Sequence, residues 1–284
     1  MSEINSIPAR LSLNSLSLSD GELQRIGKLI YTRAGIVVNA QKREMIFNRL
    51  SRRVRMLAFS SFSDYINLLE SQTEHPEWQN FINALTTNLT SFFRESYHFP
   101  ILAEHARQHG SGYRVWCTAA STGEEPCSIA MTLHDQLGPS VAGPRIWASD
   151  IDTEVLAKAE AGIYRLSDLD SLTLAQKRHF FLRGAGDNSE WVKARRELLS
   201  AIHYQQLNLL DEKWSLPGPF NAIFCRNVMI YFDAATQQRL LQRFARLLKP
   251  GGLLFVGHSE HFSHAHIPLR LRGQSVYELT ETTR

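Results

Sequence analysis

The sequence predicts an α/β domain preceded by an all-α domain, and two patterns support this fold class. From Ser19 to about residue 90, apolar residues recur at helical spacing throughout. After about residue 97, short apolar segments of strand character alternate with helical segments. Strands that alternate with helices in this way are typical of a parallel sheet with helices on both faces.

Four helices are predicted in the N-terminal part, over residues 19–35, 40–59, 61–71 and 76–89. The first begins with a capping box formed by Ser19 and Glu22 and ends at Gly35. Asn39 is a suitable N-cap for the second helix, and Pro76 is a favourable residue at the start of the fourth.

The second helix concentrates positive charge. Residues 42–55 include six basic side chains and one acidic side chain, a local charge of +5. Lys42, Arg49, Arg52 and Arg53 share one face, with Arg55 at its margin. Such a stripe is either a solvated helix face or a docking surface for an acidic partner, and the sequence leaves both interpretations open.

The predicted sheet is built from short strands in residues 113–121, 144–152, 220–227, 253–260 and 275–281. Helices are expected between them in residues 124–138, 152–162 and 234–249, the last followed by a Pro-Gly-Gly turn. Residues 177–207 interrupt the alternation, because short strand-like runs flank a Gly-Ala-Gly turn. We therefore expect a small antiparallel insert there.

Ligands of open α/β sheets bind beyond the carboxyl ends of the strands, where the strand order reverses. The first strand leads into a turn of small residues that ends in Glu124 and Glu125, which would repel a pyrophosphate. Asp150 follows the second strand and can accept hydrogen bonds from two ribose hydroxyls; a helix N-cap is its alternative role, which Asp152 or Thr153 can also fill. A ribose acceptor without a phosphate cradle points to a nucleoside such as S-adenosylmethionine.

The segment IFCRNVMIYFD, residues 223–233, places polar side chains in apolar surroundings. Arg226, Asn227 and Tyr231 lie among residues that are typical of a protein core. Burial of a polar group costs free energy unless the group is hydrogen-bonded, so all three should have partners in or near a ligand site.

The composition indicates a globular, intracellular protein. The 284 residues are 43% hydrophobic and 21% charged, with a net charge of +3 that does not identify a partner. We see no signal-peptide pattern and no apolar run of membrane-spanning length, and three dispersed cysteines favour the reducing cytoplasm over a disulfide framework. No metal is expected, because metal-site spacing is absent from the four histidines His258, His261, His264 and His266.

Five segments, in order, resemble the chemotaxis receptor methyltransferases of the CheR type. They are NALTTNLTSFFRE (83–95), AASTGEEPCSIA (119–130), ASDIDTEVL (148–156), FCRNVMIYFD (224–233) and LLKPGGLLFVGHSE (247–260). The resemblance extends from about residue 19 to residue 280. It implies a Rossmann-like class I methyltransferase sheet, S-adenosylmethionine as the cofactor, and methyl transfer to glutamate side chains of chemoreceptors.

The resemblance also implies a domain organisation. An N-terminal helical domain would occupy residues 1–86, a linker that contributes to the cofactor site residues 87–96, and the methyltransferase domain residues 97–284. The antiparallel insert at about residues 177–207 would correspond to the family's β-subdomain.

Individual residues acquire roles from the same resemblance. The expected cofactor contacts are Asn88, Thr90, Arg94, Glu125, Asp150, Asn208, Leu209, Asn227 and Val228. Tyr231 would face the transferring methyl and, together with Arg94, position the acceptor carboxylate. Further candidates for substrate contacts are Arg183, Arg226 and the basic-helix residues Arg49, Arg52, Arg53 and Arg55.

The expected partner is the acidic helical bundle of a chemoreceptor, bound by a monomeric enzyme. The insert resembles that of family members that bind a receptor C-terminal peptide, for which addition of a strand to a sheet edge is the expected mode. Two alternatives remain at this stage: a nucleic-acid methyltransferase of the same fold, and a non-catalytic receptor-binding adaptor. The first is disfavoured because RNVMIYF replaces the proline pair that amino methylases carry after the fourth strand.

Overall fold

The computed structural model describes residues 16–140, 143, 145–262 and 267–280. The chain divides into two compact units. The first contains the residues up to Leu29 together with Val38–Leu85, and the second contains Ile30–Val37 together with the residues from Thr86 onward. Within the described ranges, no helix has both the length and the hydropathy that a membrane span requires.

The described part of the first unit is built from α-helices α1 (Asp20–Ala34, whose last turn groups with the second unit), α2 (Arg43–Met56), α3 (Phe62–Ser71) and α4 (Glu77–Leu85). The predicted capping box is present, since the Ser19 backbone N–H donates to Glu22 at 2.8 Å and the Glu22 N–H donates to Ser19 at 3.3 Å. The second helix differs from its prediction. Asn39 makes no side-chain capping bond, and a short 3₁₀ turn precedes α2.

The apolar face of α2 forms part of the core of this unit. Ile46, Leu50 and Val54 are fully buried, as the helical spacing predicts. Leu57 lies beyond the helix end and is 36% exposed. The buried rings of Phe62, Tyr65 and Phe81 complete this core, which forms because the amphipathic helices pack their apolar faces together.

Arg53 was assigned to the exposed basic face, and this assignment is wrong. Its Nε donates to Glu77 at 2.8 Å, and the side chains of Arg53 and Glu77 are 18% and 3% exposed. Tyr65 donates to the same carboxylate at 2.9 Å. Helix α4 contacts α2 and supplies the Glu77 carboxylate. The pattern of α2 alone cannot show which residues of another helix pack against it. Arg52 and Arg55 are exposed.

Replacing Glu77 with alanine should destabilise the protein because it leaves the partly buried Arg53 without its counter-charge. We expect a loss of about 3 kcal/mol in the free energy of unfolding, the usual cost of breaking such a pair from one side. Glu74→Ala is the matched control, because Glu74 is exposed and three residues away. Urea denaturation of both variants measures the effect, and equal midpoints would contradict it.

The second unit contains a seven-stranded sheet. Its spatial order is β6 (Ile202–Gln206), β2 (Ile146–Asp150), β1 (Val115–Cys117), β7 (Phe220–Cys225), β8 (Leu248–Val256), β10 (Val276–Leu279) and β9 (Leu269–Gly273). The five strands from β6 to β8 are parallel, and β10 pairs antiparallel with β8 and β9. The predicted α/β fold class is confirmed; β9 was not anticipated.

Helices connect the strands and cover the sheet: α5 (His98–His109), α6 (Glu124–Leu137), α7 (Thr153–Ala161), α8 (Leu174–Phe180), α9 (Arg196–Leu199) and α10 (Ala234–Leu247). Two clusters of buried apolar side chains surround the strands. One contains Val115 and Phe224, and the other contains Trp116 and Ile223. Adjacent residues of β1 and β7 thus belong to different clusters, as the alternation of side chains along a strand requires.

The small antiparallel sheet differs from its expected range of about residues 177–207. It consists of β3 (Ile163–Arg165), β5 (Trp191–Ala194) and β4 (Phe181–Arg183), in that spatial order. It therefore begins before the expected boundary, and β6 at the other boundary belongs to the main sheet. The three-residue strand β3 follows α7 directly and is too short to leave a recognisable pattern.

The Pro-Gly-Gly segment also differs from its prediction as a turn before a strand. Helix α10 ends at Leu247, and β8 begins at once and includes Pro250, Gly251 and Gly252. The pairing with β7 shifts register there, and Gly251 has a φ of +71°. Glycine tolerates this conformation, which lets the strand carry an irregularity instead of ending.

Candidate functional site

The polar residues of the sequence motifs meet where the strand order of the main sheet reverses. The chain runs from β1 outward through β2 to β6, and then returns to β7 on the other side of β1. The carboxyl ends of β1 and β7 therefore lie side by side, with Cys117 paired to Phe224. This is the position at which open α/β sheets bind their ligands.

Arg226, which follows β7, is held by two carboxylates. Its guanidinium lies 2.6 Å from a carboxylate oxygen of Glu125 and 3.3 Å from one of Glu95, and it donates to the Arg94 carbonyl at 2.5 Å. The Arg226 side chain is 1% exposed. Its assignment as a substrate-docking residue is therefore wrong, because the charge is inside the protein and is matched by the chain's own acids.

Glu95 is the residue of this cluster that the sequence analysis missed. Its carboxylate accepts hydrogen bonds from His258 at 3.1 Å, Asn227 at 3.3 Å and Tyr97 at 3.3 Å, in addition to its ion pair with Arg226. Burial alone would raise its pKa, but His258, the charge of Arg226 and Asn227 outweigh burial and lower the pKa to about 2. Its sequence signal was its position as the last residue of the segment NALTTNLTSFFRE (83–95), directly after Arg94.

Glu260 fixes the backbone after β7 and was also missed. Its carboxylate accepts from the backbone N–H groups of Gly257 at 2.6 Å, Asn227 at 3.0 Å and Ile230 at 3.3 Å. Asn227 has a φ of +57°, and a Cβ on Gly257 would lie 2.4 Å from its Nδ2. This carboxylate thus holds Asn227 in a conformation that few non-glycine residues adopt.

Asp150, at the end of β2, is a buried carboxylate with backbone partners. It accepts from the N–H groups of Ser121 at 2.9 Å and Asp152 at 3.0 Å. Asp152 is the N-cap of α7, so this role does not fall to Asp150. Burial raises the pKa of Asp150 to about 6, against the effect of the backbone donors.

The burial of Glu125 has a similar consequence. Burial raises the pKa of the Glu125 carboxyl, although the charge of Arg226 opposes the shift. Its second oxygen accepts from the Cys117 thiol at 3.3 Å. Glu125 therefore already has two partners in this structure, and an additional ligand would share its carboxylate with Arg226.

The linker residues lie along the same edge. Asn88 donates to Asp152 at 2.7 Å, and its carbonyl accepts from the Ser121 hydroxyl at 2.8 Å. Arg94 donates to the Leu89 carbonyl at 2.7 Å. Thr90 between them is half-buried. The hydrogen bonds of Ser121 connect Asn88 with Asp150, two of the predicted cofactor contacts.

The remaining predicted contacts follow β6 and β7. Asn208 donates to the Arg33 carbonyl at 2.7 Å, and Leu209 next to it is buried. Val228 is half-buried and its carbonyl accepts from the Tyr231 N–H at 3.1 Å. The loops that carry them leave the carboxyl ends of their strands, at the ligand-binding edge of the sheet.

Other predicted residues are not part of this cluster. Arg183 lies on β4 in the small sheet and donates to the Ser189 carbonyl at 3.2 Å. Arg49, Arg52, Arg53 and Arg55 lie on α2 in the first unit. Among the described residues no group of three metal-binding side chains occurs, and His264 and His266 lie outside the described ranges.

Two family models match the chain. The model described as CheR methyltransferase, SAM binding domain, matches residues 88–277, and the model described as CheR methyltransferase, all-alpha domain, matches residues 21–86. The chain belongs to the CheR methyltransferase family.

Curated relatives agree with this assignment. A chemotaxis protein methyltransferase of Klebsiella aerogenes is 61% identical over 266 residues, which cover 94% of this chain and 92% of the relative. The corresponding protein of Escherichia coli is 57% identical, with coverage of 94% and 93%. Chemotaxis protein methyltransferase 2 of Pseudomonas aeruginosa is 48% identical over 90% of this chain and 92% of its own length.

S-adenosylmethionine is the cofactor of this CheR methyltransferase, and the charges of the site suit it. The cofactor carries a positive sulfonium and a positive ammonium group, and its ribose offers two hydroxyl donors. Among the described residues, four acidic side chains lie at the carboxyl edge of the sheet with one buried cation, Arg226, which pairs with two of them, Glu95 and Glu125; the other two are Asp150 and Glu260. Negative charge in excess favours a cationic ligand, and the buried Asp150 is a suitable acceptor for the ribose.

The affinity of this CheR protein for S-adenosylhomocysteine should depend on the ionisation of Asp150. Because the pKa is raised to about 6, the carboxyl is protonated below that pH and loses acceptor capacity for the ribose hydroxyls. We expect about tenfold weaker binding at pH 5 than at pH 7.5. Calorimetric titration across this range is the measurement.

Two substitutions control this prediction. Asp150→Asn should bind weakly at every pH and lose the dependence. Asp187→Asn, at an exposed carboxylate, should retain the wild-type profile. A wild-type profile that remains flat from pH 5 to 7.5 would refute the assignment.

Proposed function

We propose that this protein transfers the methyl group of S-adenosylmethionine to glutamate side-chain carboxylates of chemoreceptors and forms methyl esters. The relatives described above are named chemotaxis protein methyltransferases. Their similarity extends over nearly the whole chain, which supports an acceptor of the same kind.

The main support from the site is the difference between its two arginines. Arg226 is buried and paired with Glu95 and Glu125. Arg94 is half-buried and donates to the Leu89 carbonyl, and no carboxylate among the described residues lies within ion-pair distance of it. A guanidinium without a matching charge is complementary to a carboxylate, either of the acceptor glutamate or of the cofactor.

The reaction suits a site of this composition. When bound, the cofactor supplies a methyl group on a positively charged sulfur. A carboxylate oxygen of the acceptor would bond to the methyl carbon as the carbon–sulfur bond breaks, and S-adenosylhomocysteine would be the leaving group. A glutamate side chain has a pKa of about 4.3 and is already ionised at neutral pH, so no general base is required. Alignment of the two reactants is then the main task of the protein, and it can contribute about 7–11 kcal/mol.

The chain's own residues divide this task. Asp150 would accept from the ribose hydroxyls, and Glu125 would receive the ammonium group on the carboxylate it shares with Arg226. Asn88, Thr90, Asn208, Leu209, Asn227 and Val228 would complete the walls. Tyr231 and Arg94 would hold the acceptor carboxylate behind the methyl carbon.

The receptor is expected to bind through charge. Arg52 and Arg55 of α2 are exposed, and Arg49 is half-buried, so these three remain candidates for contact with an acidic helical bundle. Arg53 is excluded by its pair with Glu77.

The small sheet is a second candidate contact, for a receptor C-terminal peptide. Among the described residues β3 and β4 each pair only with β5, which leaves an edge on either side. Ile163, Leu182 and Trp191 are exposed apolar side chains on these strands, and Arg183 lies at the end of β4. Addition of a peptide strand to either edge would place peptide side chains beside the exposed apolar side chain of that edge strand, Ile163 on β3 or Leu182 on β4.

Incubation with radiolabelled cofactor and receptor-rich membranes should label the receptors. The label should be released as methanol at alkaline pH, because glutamate methyl esters are base-labile. Arg94→Ala and Tyr231→Phe should lower kcat/KM by roughly 100-fold or less, since each removes part of the alignment. Arg246→Ala, at an exposed position of α10, is the control and should retain turnover.

The outcomes separate the candidate functions. Base-stable label, or label in RNA or DNA, would refute glutamate esterification. Binding of S-adenosylhomocysteine without transfer to any receptor would indicate an adaptor. Full turnover in both Arg94→Ala and Tyr231→Phe would remove these residues from the mechanism.

Reversal of the exposed charges on α2 should weaken receptor binding. The double variant Arg52→Glu, Arg55→Glu should raise the KM for receptor membranes about fivefold at low salt, with a smaller effect at high salt. Its affinity for S-adenosylhomocysteine should not change. Arg246→Glu, at an exposed position of α10, is the matched control. Equal KM values for the two variants would show that α2 does not dock on the receptor.

A further inference from the structure

Residues 31–37, the last turn of α1 and the residues after it, contact two loops of the candidate site. They group with the second unit. One of these loops follows β6 and carries Asn208, and the other follows β7 and carries Tyr231. We call residues 31–37 the bracing segment.

The bracing segment holds the Tyr231 loop at two points. The Val37 N–H donates to the Tyr231 carbonyl at 2.9 Å. The Tyr31 hydroxyl donates to Asp233 at 2.6 Å, and the same Asp233 side chain caps α10 by accepting from the Thr236 N–H at 2.7 Å. The loop is thus tied to the bracing segment at Tyr231 itself and at the start of the next helix.

The same segment also holds the loop after β6. The Asn208 side chain donates to the Arg33 carbonyl at 2.7 Å, one of the carbonyls at the end of a helix that lack a partner within it. The Asn208 oxygen accepts from the Leu210 N–H at 3.0 Å, which closes the loop on itself. One short segment therefore contacts both loops.

Gly35 makes this approach possible. Its φ is +68°, and a Cβ at this position would lie 3.0 Å from two ring carbons of Phe232 and 3.2 Å from Leu210 Cδ1. Phe232 follows Tyr231, and Leu210 lies two residues from Asn208. Any side chain at residue 35 would therefore push on both loops at once.

We propose that the bracing segment is a positioning element, which sets where Tyr231 and Asn208 lie and thereby acts on methyl transfer without contact with the reacting atoms. The proposal rests on the role proposed above for Tyr231. A helix end with a purely structural role would stabilise the fold but would leave the geometry of the two loops, and hence the kinetics, unchanged.

A pair of glycine substitutions separates these two roles. Gly35 and Gly110 both follow the last residue of a helix, with φ values of +68° and +73°, so alanine strains the backbone similarly at either site. A Cβ at Gly110 would have nothing within 4 Å. Gly110→Ala should lower the Tm and change nothing else. Gly35→Ala should lower the Tm and also displace the loops that carry Asn208 and Tyr231.

Three measurements report on the loops. In Gly35→Ala we expect kcat for receptor methylation to fall by roughly tenfold. We expect the affinity for S-adenosylhomocysteine to fall about threefold, because Asn208 is one of the expected cofactor contacts. Amide hydrogen exchange in residues 228–233 should become faster. Gly110→Ala should match the wild type in all three.

A double-mutant cycle tests whether the segment acts through Tyr231. Tyr31 is 44% exposed, so Tyr31→Phe should not unfold the protein and removes only the hydroxyl that binds Asp233. It should lower kcat several-fold in the wild type but have little further effect in Tyr231→Phe. Additive losses would overturn the positioning role.

Failure of this inference can be distinguished from failure of the proposed function. Wild-type protein that makes no base-labile esters would refute the function, and hydrogen exchange and S-adenosylhomocysteine affinity would still decide the inference. If Gly35→Ala equals Gly110→Ala in these two measurements, the inference is wrong. If Gly35→Ala does not fold, hydrogen exchange of residues 228–233 in Tyr31→Phe decides, and an unchanged rate would overturn the inference.

Discussion

The buried charge of Arg226 is the constraint on which the rest of the site depends. A guanidinium that is 1% exposed is stable only where carboxylates and carbonyls surround it. Glu125 comes from the start of α6, and Glu95 and the Arg94 carbonyl come from the linker before α5. The need to satisfy one cation therefore brings two separate pieces of chain to the end of β7.

A second carboxylate, Glu260, fixes the same region through the backbone. It accepts from the backbone N–H groups of Asn227 and Ile230 in the loop after β7, and so it holds Asn227 at a φ of +57°. The conformation costs free energy for a residue with a side chain, and the carboxylate offsets that cost. The loop that carries Asn227, Val228 and Tyr231 is consequently shaped by residues that need not touch a ligand.

Much of the fold, and the edge at which the polar residues meet, could be predicted from local patterns in the sequence. The alternation of strands and helices predicted the parallel sheet, and the positions of the polar residues after its strands predicted that these residues meet at one edge. The errors have two causes. Arg53 was placed on an exposed face because the periodicity of α2 does not show that Glu77 of α4 packs against it, and the small sheet was placed too late because β3 has only three residues.

The sequence by itself determined the fold class, the family resemblance and the sheet edge at which the polar motif residues meet, since hydrophobic periodicity and contiguous motifs are local properties of the chain. Only the tertiary structure decided which charges are available. Arg94 and Arg226 both belong to the motifs of the site. Arg226 is neutralised by Glu95 and Glu125, which lie more than 100 positions away along the chain. Arg94 has no carboxylate partner among the described residues. Pairing of this kind depends on distances between remote segments, which no local pattern contains.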